Sequence, residues 1–502
     1  MPHSLRVPRL GALLVCIGLA LGACAEAPDT AVPTVEEREH TASRIRSSSS
    51  IVGFLLGIAR AYREIFVPPV DFDGDGFADF TVAATNTVDE EIAVFYGGPA
   101  GYATVADQII ASPDPTAFLA LTTSTNAGDV NGDGYDDLIA GANNAPNGGA
   151  AYLFFGGPNG LSATPDQTLS GSNTGLAGTV TFGFSVASIR DLDGDGYDDV
   201  AVGAIATSIN DVQDGAVFLY LGGPHGVSTV PDYTLFGTGG FLDNFGRRIR
   251  ATFLDGDAYP DLIISESRSP LFGGSSPGRV LIFDGAPPFD TVVDQVIDGP
   301  SGPGQGFGLS LSLAADYNLD GYGDVLVGEG LTDTFTGKAF LYLGSPGGLD
   351  PVPALEILPP AGNTGGFFGF SVGAGGDVDR NGLPDLVIGE TDADNLAGET
   401  HLVFNSIFNL PQPGVTTVIG PDQTLSVPIT DPIGFFGQDL AFVGDGDGNL
   451  ADELLVGASG VNAFTGRVYV FEGSTPLGIP ATPKLQIDGT VAGGSFGLDI
   501  SK

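Results

Sequence analysis

Tryptophan is absent from these 502 residues, methionine occurs once, cysteine twice and histidine four times. Positive charge is also scarce: 18 Lys and Arg stand against 61 Asp and Glu, a formal net charge of −43. Each shortage removes a class of explanation. A phosphate backbone is held by a basic face, so nucleic acid is disfavoured as a partner. The cysteines, Cys16 and Cys24, both lie near the N-terminus, so no disulfide framework is expected to hold the body of the chain. Transition metals favour nitrogen and sulfur ligands, which the chain barely supplies. The long apolar run, residues 10–23, is short for a membrane-spanning helix and is flanked like a signal. What remains abundant is glycine, 78 residues, and 42% hydrophobic content, enough for a folded core with many tight turns.

The acid is concentrated in nine-residue loops. They read DFDGDGFAD from Asp71, DVNGDGYDD from Asp129, DLDGDGYDD from Asp191, DYNLDGYGD from Asp316, DVDRNGLPD from Asp377 and DGDGNLADE from Asp445. An altered copy, FLDGDAYPD, starts at Phe253. Positions 1, 3, 5 and 9 carry side-chain oxygens, and position 7 offers its carbonyl. The expected ligands are Asp71, Asp73, Asp75, Phe77 and Asp79 in the first loop, and Asp129, Asn131, Asp133, Tyr135 and Asp137 in the second. They are Asp191, Asp193, Asp195, Tyr197 and Asp199 in the third, and Asp316, Asn318, Asp320, Tyr322 and Asp324 in the fifth. The sixth offers Asp377, Asp379, Asn381, Leu383 and Asp385, and the seventh Asp445, Asp447, Asn449, Ala451 and Glu453. Ca2+ takes about six to eight oxygens in a flexible shell, whereas Mg2+ demands a smaller octahedron and keeps its waters. Glycine, common at positions 4 and 6, permits the left-handed turns that curl the chain around an ion. One such loop could be turn chemistry alone; six in the same register argue for ligation. The altered copy has Phe253 at position 1 and Ala258 at position 6, so weak binding or none is expected there.

The loops start at 71, 129, 191, 253, 316, 377 and 445, which places successive starts 58 to 68 residues apart. A fixed period of this length marks a repeat architecture. Phe-Gly precedes most loops, at Phe182-Gly183, Phe245-Gly246, Phe307-Gly308, Phe368-Gly369 and Phe436-Gly437. Apolar strands follow, such as DVAVGA from Asp199, GAVFLYLGGP from Gly215 and DYTLFG from Asp232. Four short strands per unit make a propeller blade, and seven units make an all-β, seven-bladed β-propeller of four-stranded blades with Ca2+-binding hairpin loops.

With those phrases in that order, the chain resembles the FG-GAP repeat family, whose best-known members form the β-propeller of integrin α subunits. The resemblance covers residues 65 to 502. It implies Ca2+ bound inside the blades, between hairpin strands, at Asp71, Asp73, Asp75 and Asp79 and at the matching positions of the other intact loops. Up to six sites are expected, with a seventh degenerate; integrins fill only some of theirs. The inserted metal-dependent adhesion domain of some family members has no counterpart here.

The first unit lacks its Phe-Gly, and the chain ends in an orphan, Phe496-Gly497, with no loop after it. Residues Phe496 to Ile500 are expected to complete the first blade and lock the ring. The alternative is that Ile65 to Val70 fills that place.

The N-terminus reads as a bacterial lipoprotein signal over residues 1–23, with Arg6 and Arg9 ahead of the apolar core. Leu21-Gly22-Ala23-Cys24 resembles a lipoprotein box, with Cys24 as the lipidated residue. Residues 24–50 read as a flexible tether, and the propeller is expected over 51–502. Residues 51–65 carry apolar side chains at helical spacing, and a short docked helix is ranked ahead of a strand. The expected location is the cell envelope, at the outer membrane, with a lipid anchor as the sole membrane contact.

Enzymatic chemistry finds little support. Gly369-Phe370-Ser371-Val372-Gly373 fits a hydrolase nucleophile elbow, but no helical pattern follows it. Ser185 occupies the same place in another repeat, which points to blade packing. The expected role is an adhesion or interaction module that binds a protein or glycan ligand through loops on one propeller face. A lectin-like glycan binder and a structural envelope protein are the alternatives. The lectin reading would use repeated aromatic pockets at loop position 7.

Overall fold

In each repeat the acidic loop runs directly into a strand with both faces covered. Phe80–Ala84, Asp137–Ala142, Asp199–Ala204, Asp261–Glu266, Val325–Glu329, Asp385–Glu390 and Leu454–Ala458 are buried at every residue. Continuous apolar sequence, not alternation, is what a doubly covered strand requires. The outermost strands differ. Gln108–Ala111, Gln295–Asp298 and Leu485–Asp488 each bury only their third residue, as the period of two predicts for a strand with one wet face.

The computed structural model describes residues 68–501, except 85–90, 114–123, 177–180, 206–207, 210–211, 214, 238–243, 268–276, 408–409, 427–433, 474–477 and 491–493. The signal, Cys24, the tether and the 51–65 segment lie outside the described residues. Seven antiparallel sheets carry the repeats, and successive strands are neighbours within each sheet. Strands Ser124–Gly128, Asp137–Ala142, Ala150–Phe154 and Gln167–Ser170 form the second blade, and later blades repeat the plan. Among the described residues, no helix is long and apolar enough to cross a membrane.

A single blade cannot bury both of its faces, and the apolar clusters show where the burial comes from. One joins Ile139, Leu153 and Leu169 of the second blade to Phe182, Val200 and Phe218 of the third. There are seven such clusters, one at each blade boundary, including the boundary between the last blade and the first. At that closing boundary Leu455, Val468, Phe496 and Ile500 pack with Phe80, Val82 and Phe95.

The C-terminal strand, Asp499–Ser501, completes the first blade. Thr81 pairs with Ser501, Val82 with Ile500 and Ala83 with Asp499. Phe496 and Gly497 repeat the geometry of the earlier Phe-Gly pairs: the phenylalanine is buried and the glycine is left-handed, with φ 85°. Pro68 to Val70 is not a strand, so the C-terminal segment fills the place left open by the first unit.

One element departs from the repeat. Thr417–Ile419 lies between the third and fourth strands of the sixth blade, yet it pairs in parallel with Leu355–Ile357 of the fifth. This insertion accounts for the longest loop-to-loop step, from 377 to 445. The first strands line an axial cavity of about 430 Å3.

Candidate metal centre

Six of the acidic loops link the first and second strands of their blades, and the first loop leads into the second strand of a blade whose first strand is C-terminal, so all seven sit at the same end of the ring. In each of the six intact loops the position-1 carboxylate grips the turn. Asp71 accepts the N–H of Asp75 at 3.1 Å and of Gly76 at 3.0 Å, and Asp129, Asp191, Asp316, Asp377 and Asp445 do the same in their loops. Position 4 is left-handed throughout, including the non-glycine residues Leu319 and Arg380, both with φ 61°.

The position-9 carboxylate closes the loop. Asp79 accepts the N–H of Phe72 at 2.7 Å and of Gly97, beyond the third strand, at 2.8 Å. The bond to position 2 recurs at Asp137, Asp199, Asp261, Asp324, Asp385 and Glu453. These carboxyls are buried, and that burial pushes Asp79, Asp137, Asp199 and Glu453 up to about 8. Asp324 and Asp385 rise well above the ordinary carboxylate range for the same reason. In Glu453, Oε1 is buried without a hydrogen-bond partner.

Carboxylate oxygens of Asp71, Asp73 and Asp79 lie within 4.8 Å of one another, as do those of Asp191, Asp193 and Asp199 and those of Asp377, Asp379 and Asp385. The second and fifth loops replace position 3 with Asn131 and Asn318, whose amide oxygens each accept the position-5 N–H, from Asp133 at 2.9 Å and Asp320 at 3.3 Å. The donor set is all oxygen and partly buried, which suits a hard divalent cation such as Ca2+.

Two loops deviate in ways the sequence did not reveal. In the seventh, Lys484 Nζ lies 2.6 Å from Asp447 and 3.1 Å from Glu472. Burial works against ionisation of Asp447, but the Lys484 hydrogen bond and charge hold its carboxyl below the usual range. In the altered fourth loop, Phe253 has no carboxylate to offer and instead lies under the Arg190 guanidinium, 5.5 Å from the ring centre. A carboxylate from outside the loop, Asp284, joins Asp255 and Asp257 within 4.8 Å.

The position-7 side chains prove to be couplers between blades. A Cβ placed on Gly74, at position 4 of the first loop, would lie 2.6 Å from the Tyr135 ring of the next loop. Gly132 meets Tyr197, Gly194 meets Tyr259 and Gly256 meets Tyr322 in the same way, and Gly448 meets Phe77 across the ring closure. Where position 4 is Leu319 or Arg380, the next loop has Leu383 or Ala451 at position 7 instead of an aromatic. Position 8 is a second coupler that sequence reasoning missed. Asp136 accepts the N–H of Asp71 at 2.9 Å, Asp198 that of Asp129 at 2.9 Å and Asp452 that of Asp377 at 2.8 Å.

The serine of the Gly-x-Ser-x-Gly match has a structural bond. Ser371 lies within strand Phe368–Gly376 and donates to the carbonyl of Gly437 in the next blade at 2.6 Å. Ser310 donates to Gly369 in the same manner at 2.9 Å. A hydroxyl committed to a carbonyl of the next blade is not poised as a nucleophile.

A family model for the FG-GAP repeat matches residues 122–154 and 182–220. The chain carries FG-GAP repeats in an integrin-α-like propeller. It is 37% identical to integrin alpha-5 of Xenopus laevis over 154 residues, 28% of this chain and 14% of that one. It is 30% identical to integrin alpha-8 of Mus musculus over 251 residues, 45% of this chain and 22% of that one. The matched segments thus span less than a quarter of either integrin chain. A hypothetical selenium-binding protein from Sulfolobus tokodaii shares the fold alone, with a TM-score of 0.53 at 12% identity, covering 87% of this chain and 93% of that one.

Proposed function

We propose that the chain is an interaction module of the cell envelope whose propeller is held by Ca2+ in its acidic loops. The observation that carries the cation reading is the convergence of three carboxylates within 4.8 Å in the first, third and sixth loops. Side chains at positions 1, 3, 5 and 9 would hold the ion together with the carbonyl at position 7. Ligation would offset the mutual repulsion of these acids and fix the strand that each loop enters. Because positions 7 and 8 couple each loop to its neighbour, ordering one loop supports the next.

A protein ligand fits the opposite end of the ring. There Phe335 and Phe370 are each 39% exposed, bridged by Phe367, with ring centres 5.0 and 6.5 Å apart. Exposed aromatic clusters of this kind serve as binding anchors. Glycan binding is the weaker reading, because the repeated tyrosines lie against neighbouring glycines and leave no ring of open aromatic pockets. Export and lipidation at Cys24 rest on the Leu21-Gly22-Ala23-Cys24 sequence, and loss of palmitate labelling in Cys24→Ser would test them.

The deciding experiment is thermal unfolding in EDTA and in a Ca2+ series, with bound ions counted by native mass spectrometry. A Ca2+-dependent rise with five or six ions, the lower number leaving out the seventh loop as well as the altered fourth, is the expected result. No rise and no bound ion would reduce the loops to turns. Capture of envelope proteins by the wild-type chain but not by Phe335→Ser/Phe370→Ser would support the interaction reading, and equal capture by both would remove that face.

A further inference from the structure

At the end of the blades away from the acidic loops, the second and third strands of two blades pair opposite charges. Glu266 stands opposite Arg279 in the fourth blade and Glu329 opposite Lys338 in the fifth. In the sixth blade the same pairing sets Glu390 opposite Glu399. The cation has become a second carboxylate. Two residues along the third strand, where sister blades place Leu281, Phe340 and Tyr469, stands His401, which is fully buried. Both changes fall on the same face of one blade.

The three side chains converge. His401 Nε2 lies 2.9 Å from Glu390 Oε2 and 3.8 Å from Glu399 Oε2. One ligand atom from each lies within 4.8 Å of the others. Asn363 Nδ2 donates to both glutamates, at 2.9 and 3.3 Å. His401 Nδ1 is bonded to the Thr424 hydroxyl at 2.9 Å. Nδ1–H donation to Thr424 would leave the Nε2 lone pair facing the carboxylates. A Cβ on Gly366 would lie 2.1 Å from Glu390 Oε1, so the loop over the cluster packs down on it. Glu399 keeps 18% of its side chain exposed and provides the way in.

We propose that Glu390, Glu399 and His401 form a binding site for a divalent first-row transition ion of the zinc type, distinct from the Ca2+ loops. Two carboxylates in this buried pocket carry more negative charge than one imidazolium can balance, and a dication balances both. The mixed nitrogen and oxygen donor set suits Zn2+ and leaves a position open for water. The acidic loops contain no nitrogen donor of this kind. Thr424 supplies the outer hydrogen bond that fixes a metal-bound histidine. The span of strand Asp385–Glu390, about 3.3 Å per residue, separates this cluster from the acidic loop of its own blade.

The test is calorimetric titration of the full chain with Zn2+ in saturating Ca2+, so that the acidic loops are already filled. One Zn2+ per chain is expected. Glu399→Arg and His401→Phe each install a residue type found in a sister blade, and both should abolish uptake while the Ca2+-loaded Tm stays within a few degrees. Thr424→Val should weaken uptake by about 10- to 100-fold. No uptake by the wild-type chain, or undiminished uptake by both ligand variants, would overturn the proposal. If a variant does not fold, the imidazole NMR signals of the wild-type chain decide: a buried histidine must shift on addition of one equivalent of Zn2+, and unmoved signals reject the site.

Discussion

Removal of residues 494–502 is the sharpest test of how the ring closes. The segment buries the side chains of Phe496 and Ile500 in the cluster between the last and first blades. At about 1.5–3 kcal/mol for each large apolar side chain, their loss costs about 3–6 kcal/mol. Hydrogen bonds go with them. Ser495 and Phe496 donate to Phe464 and Thr465 at 2.8 and 3.1 Å. Ile500 donates to Asp439 at 2.6 Å, and Asp499 accepts from Ser124 N at 2.8 Å. At about 0.5–1.5 kcal/mol each, these four add about 2–6 kcal/mol. The sum rivals the whole stability of a typical fold, about 5–15 kcal/mol, and the truncation also bares the edge of strand Phe80–Ala84. Differential scanning calorimetry in saturating Ca2+ should show Tm lower by about 10 °C or more, taking about 2 °C per kcal/mol for a domain of this size. Ile500→Ala, which keeps the strand, should fall between the two, at about 2–4 kcal/mol. A truncated chain that melts within about 2 °C of the intact one would refute the closure argument, because it would mean the three-residue ladder carries no load.

Gly132→Ala forces a side chain into a left-handed turn and to within 2.5 Å of the Tyr197 ring; urea unfolding should show a loss of about 1–3 kcal/mol, part of which Tyr197→Ala restores in the double variant. Lys484→Ala frees Asp447 of its ammonium, so native mass spectra at limiting Ca2+ should show higher occupancy; unchanged occupancy would mean that Lys484 does not compete with the ion. Burial, with Asp499 beside it, raises Asp439 to about 7. A carboxyl raised in the fold favours the protonated native state, so its contribution is complete below about pH 4 and is lost as pH rises to about 7. Asp439→Asn should therefore flatten the decline in stability over that window in saturating Ca2+, and an unaltered slope would place the titration elsewhere.

Much of this architecture was legible in the sequence because a propeller repeats its local rules. Phe-Gly returns ahead of loop after loop, and the structure gives its glycine the same left-handed turn each time, from Gly183 to Gly497. The orphan Phe496-Gly497 therefore announced a missing first strand before any pairing was known. The period and the strand burial followed from the same local signals. What escaped were contacts between units. Lys484 reaches Asp447 from 37 residues away, and no spacing within a loop foretells it. Asp284 enters the altered loop from beyond the third strand, and Thr417–Ile419 leaves its own blade to extend a neighbour.

The coupling of positions 4 and 7 shows why such contacts hide. Each loop alone presents a glycine and an aromatic with no evident relation. Placed in a ring, the glycine of one loop makes room for the aromatic of the next, at Gly74 with Tyr135 and at Gly448 with Phe77. The exceptions follow the same rule, since Leu319 precedes Leu383 and Arg380 precedes Ala451. The constraint therefore acts between units, not within one, and it selects residues at a distance of one full repeat. Position 7 is thereby committed to packing, which leaves its carbonyl as the only atom it can contribute to a cation. The same reasoning singles out the sixth blade. Glu399 breaks a pairing that the fourth and fifth blades keep, and His401 stands where they place Leu281 and Phe340; a repeat protein exposes such a departure more clearly than any single domain could.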